Sequence, residues 1–322
     1  MNGKIRTDIV GKSAAVFTMA MVAAFAVIGS AHATDVKFTL DWTFQGPQSP
    51  FALAADRGYF AAEGLNVTID RGEGSGAVPP RVASGAYDIG VGDINPLIRF
   101  NADKPEAGLI AVAVLYDASP LAAITLKKFG VTEPKHLAGK TIAAPETDSG
   151  RQLFPAFAKA TGIDLATVNW MSVSPQLRET MLAQGQAQAI TGFLTSGILS
   201  LNQAGIPTSE ITVLRYRDYG VDLYSNALIT TKKFAEANPT AITGFIRAAV
   251  KGHIDAIKDP EAAIEALKKR DPLIDPKIEL ARLTQSMAEL VSVETVFTAI
   301  RGCSASPLSE LILLVSLFSI VH

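Results

Sequence analysis

Cysteine is nearly missing from this chain. Cys303 is the one example in 322 residues, so no intrachain disulfide can form. Histidine is scarce as well: His32, His136, His253 and His322 lie far apart, without the paired spacing of metal ligands. Each reads as a solvated or core residue, and no metal site is expected. Positive charge is not in excess. With 29 Lys and Arg against 31 Asp and Glu, a broad basic surface for nucleic acid is excluded. The two apolar stretches, 14–29 and 308–321, are shorter than the about 20 residues of a membrane span. There is no G-x-S-x-G elbow, phosphate loop, metal cluster or nucleophile–base arrangement, so neither catalysis nor a cofactor is expected.

What the chain does contain is ordinary globular material, 48% hydrophobic and 19% charged, enough for about two domains by the usual length prior. The N-terminus has the layout of a secretory signal: Lys4, Arg6 and Lys12, then the apolar run, then Ala31-His32-Ala33 as a small-x-small cleavage site. Cleavage is expected after Ala33. It would remove three basic residues and Asp8, taking the formal charge from −2 to −4. No Cys follows the site, so lipid attachment there is not expected.

From there, strand and helix signals alternate, which argues for an α/β architecture. A short strand (36–40) leads through Asp41 and Trp42 into a loop and a helix (51–62). A second strand (65–69) ends in a glycine-rich turn, 72–76. Strands at 87–91 and 110–116 follow. A second unit of the same kind then runs through strands at 121–126, 141–144, 168–173, 187–191 and 211–214, with helices at 151–161, 175–184 and 195–204. A strand at 227–231 reads as a return to the first unit. Helices at 239–258, 260–269 and 276–290 each open on a proline, and their apolar stripes are core faces. From about Val296 the helical pattern breaks.

Several segments along this path resemble the periplasmic substrate-binding proteins of ABC importers, closest to the NMT1/THI5-like branch for thiamine pyrimidine precursors, which is related to the nitrate, taurine and sulfonate binders. The residues are Leu40-Asp41-Trp42-Thr43, Gly58-Tyr59-Phe60 with Glu63-Gly64-Leu65, Val82-Ala83-Ser84-Gly85 with Tyr87-Asp88-Ile89-Gly90, Leu137-Ala138-Gly139-Lys140-Thr141-Ile142, Ile190-Thr191-Gly192-Phe193 and Tyr219-Gly220-Val221-Asp222. The resemblance implies a two-lobed periplasmic-binding-protein fold of type II, its lobes joined by two strand crossovers. Residues 1–33 would be the signal, 34–120 and 225–295 lobe one, and 121–224 lobe two. It implies a monomer in the periplasm that binds a small-molecule ligand and delivers it to a membrane permease with its ATPase. The related pyrimidine-forming enzymes carry a Cys-rich stretch that this chain does not have. Residues 296–322 depart from the family, and a truncated or frame-shifted end is expected.

Ligands of α/β sheets bind beyond the carboxyl ends of strands. In the first unit that position singles out Asp41 as a hydrogen-bond acceptor and Trp42 as a stacking surface. With them come Gln45, Gln48 and Ser49 before a helix N-terminus, Gly74 and Ser75 in the glycine turn, Asp93 and Asn95, and Tyr116 and Ser119. In the second unit it singles out Glu146, Thr147, Asp148, Ser149 and Arg151, then Thr191 and Phe193, with Tyr219 and Asp222 near the return crossover. Trp170 reads as core. Carboxylates crowd these loops, with Arg151 nearly alone against them. Burying an anion among carboxylates is costly. The expected ligand is therefore neutral or cationic and nitrogenous, such as an aminopyrimidine; nitrate, taurine or another sulfonate is the alternative, and a pyrimidine-forming enzyme or a sensor's binding partner are others.

Overall fold

The computed structural model describes residues 33–290; the expected signal segment up to His32 and the atypical tail lie outside them. Among the described residues there are ten strands, arranged in two five-stranded sheets. The first sheet contains β1 (Thr34–Thr39), β2 (Leu65–Asp70), β3 (Ile89–Asp93), β4 (Leu109–Val114) and β10 (Asn226–Thr231), in the order β2-β1-β3-β10-β4. The second contains β5 (Leu121–Leu126), β6 (Thr141–Ala144), β7 (Asn169–Ser172), β8 (Ala189–Phe193) and β9 (Ile211–Arg215), in the order β7-β6-β8-β5-β9.

The two sheets have one topology. In each, three parallel strands are followed by an antiparallel one, β10 in the first and β5 in the second, and each of these pairs on its far side with the last strand of its sheet. β5 is reached through residues 115–120 and β10 through residues 220–225, so the chain crosses between lobes twice. The crossings meet: the Leu115 and Tyr116 N–H groups donate to the Asn226 carbonyl, and the Ser225 N–H donates to the Tyr116 carbonyl. Such a short, paired double crossover allows the lobes to bend about it while each keeps its own core.

Lobe one carries helices α1 (Ser49–Asp56), α2 (Tyr59–Ala62), α3 (Val78–Ala83) and α4 (Ile94–Asp103). The helix expected at 51–62 is two helices, because the chain turns at Gly58, whose φ is 70°. Lobe two carries α5 (Ser149–Thr161), α6 (Arg178–Ala183) and α7 (Leu194–Gln203). The C-terminal part forms α8 (Lys232–Ala237), α9 (Pro239–Lys258), α10 (Pro260–Lys268) and α11 (Pro276–Leu290). The sequence reading has no counterpart of α8, whose Thr231 side chain caps the Phe234 N–H.

Aromatic side chains hold each core. In lobe one Phe38 packs its ring 4.9 Å from both Phe51 and Phe245, tying β1 to α1 and α9. His253 lies edge-on to Phe51 in the same core, its Nδ1 2.8 Å from the Ala249 carbonyl. In lobe two Phe157 stacks on Tyr216 at 4.2 Å. Each of these buried rings contributes on the order of 2–3 kcal/mol from area alone.

Candidate functional site

A cleft of about 490 Å³, counting its open mouth, lies between the lobes. Its lobe-one wall begins where β1 ends. Asp41 is 2% exposed and lies directly after the strand and Leu40, so its carboxylate sits beyond the sheet's carboxyl edge. Oδ1 accepts from Gln48 Nε2 at 2.9 Å and Oδ2 from Asn226 Nδ2 at 2.8 Å. Burial raises the Asp41 pKa, and the two amides pull it back toward the ionised form. The glycine turn is pinned to this spot, since the Gly74 N–H donates to the Asp41 carbonyl and the Gly72 N–H to that of Trp42. Gln45, Gln48, Gly74 and Ser75 line the same wall, together with Trp42 and Tyr116. Burial holds the Tyr116 phenol well above its usual pKa.

The lobe-two wall is built around a charge that the sequence reading overlooked. Arg178, the first residue of α6, is 2% exposed and lines the cleft. Its Nε and Nη2 donate to Glu179 Oε1 at 3.0 and 2.6 Å, and its Nη1 to Asp148 Oδ2 at 3.2 Å. Burial opposes its charge, but Glu179 and Asp148 together lift its pKa above the ordinary arginine value. Asp148 is raised by burial, with Arg178 pulling the other way. It also caps α5 through the Arg151 N–H and accepts from Thr191 Oγ1, both at 2.9 Å. Gly192 makes room for the guanidinium: its φ is 144°, and a Cβ there would stand 2.1 Å from Arg178 Nη1. Across the cleft, the same guanidinium lies over the Trp42 ring, 4.7 Å from its centroid.

The lobes touch elsewhere too. Gly76 N–H donates to the Thr147 carbonyl at 2.9 Å, Thr147 Oγ1 to the Glu73 carbonyl at 2.6 Å, and Ser196 Oγ to Gln45 Oε1 at 2.6 Å. The cleft is thus in a closed arrangement, with walls held at both rims.

Of the residues singled out from sequence, Asp41, Trp42, Gln45, Gln48, Gly74, Ser75, Tyr116, Asp148, Ser149 and Phe193 line this cleft. The others are placed beside it or away from it. Arg151 is turned outward: Nη1 donates to the Ala144 carbonyl and to Ser172 Oγ, and its guanidinium covers Trp170. Arg178, not Arg151, is therefore the cation of the cleft. Glu146 is exposed and accepts from Ser172, Thr147 bridges the rim, and Thr191 acts behind Asp148. Ser49 is fully buried at the start of α1, and Ser119 lies in the first crossover near the Leu121 N–H. Tyr219 packs edge-on to Phe157, and Asp222 is exposed. Asp93 and Asn95 hold the second crossover: Asn95 Nδ2 donates to the Tyr224 carbonyl, and Asp93 accepts from the Asn95 N–H and from Ser225 Oγ.

Asp93 supplies a pH test. Burial raises its pKa to about 6, against the hydrogen bonds from Asn95 and Ser225. The folded state binds this proton more tightly than the unfolded chain does. Its penalty is therefore full above about pH 6 and fades as pH falls toward the usual aspartate range, a span worth roughly 3 kcal/mol. Urea unfolding of wild type and Asp93→Asn at pH 5, 6 and 7 checks this. The wild type is expected to gain stability relative to the variant as pH drops, and a difference that stays constant from pH 7 to 5 contradicts it.

Besides Arg178 and Glu179, the sequence reading missed Pro47, Thr195, Ser196 and Ser286, which line the cleft, and Asn226 behind Asp41. Arg178 had a signal: it follows β7 as the glycine turn follows β2, in the equivalent place of the second unit. Ser286 had none, because only tertiary packing brings α11 to the cleft.

Two α/β lobes of one topology, linked by paired crossovers and closed on a polar cleft, define the periplasmic-binding-protein fold. The chain belongs to the NMT1/THI5-like family, which its residues 47–263 match. It is 26% identical to the formylaminopyrimidine-binding protein of Halalkalibacterium halodurans, over 72% of this chain and 69% of that one. It is 21% identical to the 4-amino-5-hydroxymethyl-2-methylpyrimidine phosphate synthase of Legionella pneumophila, over 74% of each. Among solved structures, the alkanesulfonate-binding protein of Xanthomonas axonopodis pv. citri, bound to MOPS, superposes with a TM-score of 0.64 at 15% identity, covering 84% of this chain and 91% of that one.

Proposed function

We propose that this chain is the solute-binding component of an ABC importer, capturing a small nitrogenous heteroaromatic of the aminopyrimidine kind between its lobes. The reading places it outside the cytoplasmic membrane as a monomer that hands its ligand to a permease driven by an ATPase. It needs no catalytic step, only a ligand that favours the closed over the open arrangement.

The observation that carries the ligand class is the orientation of Gln48. A carboxylate only accepts, so Asp41 must be met by the amide nitrogen, and the amide oxygen is turned away from it. That oxygen, Oε1, is buried without a partner in a residue that lines the cleft. A buried acceptor left unpaired costs about 1–3 kcal/mol. A ligand N–H satisfies it, and an amino group beside a ring nitrogen offers donors to Gln48 and Asp41 together. A nitrate, or a sulfonate without an amino group, has only acceptors to bring there. Arg178 does not reverse this preference, because Asp148 and Glu179 leave the lobe-two cluster with a net negative formal charge. Trp42 adds a flat apolar surface for a ring, outside the part that the Arg178 guanidinium covers. The similarity to a formylaminopyrimidine-binding protein supports the same choice. Calorimetric titration with a formylaminopyrimidine and, in parallel, with ethanesulfonate, which has only acceptors, tests it: binding of the first alone supports it, and binding of ethanesulfonate alone overturns it.

A further inference from the structure

Helix α11 follows lobe one in the chain but reaches both lobes. Its lobe-one footing is the 3-10 turn Gly46–Gln48, which carries cleft residues. Glu279 Oε2 accepts from the Gly46 N–H at 2.7 Å. The backbones touch so closely that a Cβ on Gly46 would stand 2.1 Å from the Glu279 carbonyl oxygen and 2.6 Å from the Leu283 nitrogen. This footing fixes the helix to the turn.

The same stripe of α11 meets α7 of lobe two. Arg282 is 2% exposed; its Nη1 pairs with Glu279 and its Nη2 donates to Ser200 Oγ at 2.7 Å. One turn further on, Ser286 Oγ donates to Thr195 Oγ1 at 3.3 Å, and both residues line the cleft. Arg282 also stands near enough to the cleft cluster to feel attraction from Glu179 and repulsion from Arg178. Lobe two alone holds Asp148, Glu179 and Arg178, two anions and one cation. The Glu279–Arg282 pair, held on lobe one, is neutral. Closure thus brings a buried guanidinium to a hydroxyl and toward the surplus anion of the other lobe.

We propose that α11 is a clasp for the cleft, in which Arg282, anchored on lobe one through Glu279, grips Ser200 of lobe two and holds the lobes closed. The clasp acts without ligand, so it goes beyond the transport reading and stands or falls apart from it. Arg282 is a positioning residue: it touches the opposite lobe and shapes the cleft only through closure. Hydrogen bonds to charged groups are strong enough for the loss of this grip to lower the closed-to-open ratio about tenfold.

The test is the distance between lobes in the ligand-free protein. Spin labels at the exposed positions Arg99 and Lys159, in full-length chain carrying Cys303→Ser, report it by electron–electron double resonance. Wild type is expected to show a populated short distance. Ser200→Ala and Arg282→Met are each expected to lower the ratio of short- to long-distance populations about tenfold, and Arg282→Lys to restore part of it. Ser200→Ala removes only the lobe-two partner and leaves the buried Glu279–Arg282 pair intact, so it serves even where Arg282→Met fails to fold. An unchanged short-distance population in Ser200→Ala overturns the proposal, and so does a wild type with no short-distance population.

Discussion

Arg178→Met is expected to destabilise the protein by about 3–5 kcal/mol, the cost of stripping one partner from a buried ion cluster. For a folded body of this size that corresponds to a fall in melting temperature of about 6–20 °C. The reason lies in what remains. Asp148 and Glu179 are 4% and 8% exposed, and without the guanidinium they keep two buried negative charges with no counter-charge bonded to them. Asp148 already has its pKa raised by burial, with Arg178 the chief opposing influence. Removing Arg178 raises it further. A carboxyl whose folded pKa exceeds its unfolded one penalises the fold most when pH is above both values. The loss is therefore larger at pH 8 than at pH 5. Circular-dichroism melts of wild type and variant at the two pH values check both statements. A variant that melts within about 2 °C of wild type at pH 8 contradicts the assignment of Arg178 as the keystone charge of lobe two. Replacing Arg57 by Ala is the contrast and should change little, because Arg57 is 34% exposed, Asp259 is 50% exposed and Asp255 keeps its bond from Tyr59.

Asp41→Ala is expected to reduce ligand affinity at least about 100-fold, or about 2.8 kcal/mol. Two losses combine. The ligand loses a charged acceptor, whose bonds are stronger than those of neutral groups. In addition, the Gln48 and Asn226 amides lose the carboxylate that fixes which of their ends faces it. Gln48 can then rotate, and its unpaired buried acceptor is no longer preorganised. Asp41→Asn separates the two effects. It keeps the shape but sets an amide donor against one of the two donors, so a large loss is expected there as well. Titration calorimetry on both variants, with far-ultraviolet circular dichroism to verify the fold, checks this. Affinity within threefold of wild type in Asp41→Ala would remove Asp41 from the ligand's surroundings.

The fold was legible because its strands are short apolar runs bounded by turn residues. β5 and β6 lie where the sequence places them, as do the proline-opened helices α9 and α11. Boundaries moved where local geometry overrode periodicity. Residues 175–184 read as one helix, but Pro175–Leu177 is a 3-10 turn and the α-helix begins at Arg178. Arg178, which lines the cleft, is thus the first residue of that helix. On the lobe-one side the candidate site was legible, since Asp41, Trp42 and the glycine turn all follow strand ends. The lobe-two cation was signalled only by its place after β7, and its burial and partners were not legible. A buried arginine beside a glutamate at a helix start looks like a surface pair until the sheet brings Asp148 and Gly192 beneath it. The crowding of carboxylates was visible, but their main counter-charge was assigned to Arg151, which the structure turns away toward Trp170. Because Arg178 is matched by two acids, the inference of a negatively biased cleft survives that reassignment.

The most direct measurement is a pair of titrations on the ligand-free wild-type protein, a formylaminopyrimidine in one cell and ethanesulfonate in the other, at the same pH and low salt. A donor-bearing, uncharged heterocycle is expected to bind with a Kd at or below about 1 μM, near −8 kcal/mol, and ethanesulfonate to give no saturable heat at a hundred times that concentration. Saturable binding of ethanesulfonate with no heat from the pyrimidine would contradict the account: it would mean that Gln48 presents its amide nitrogen to the ligand and that Arg178 exchanges its carboxylates for a sulfonate.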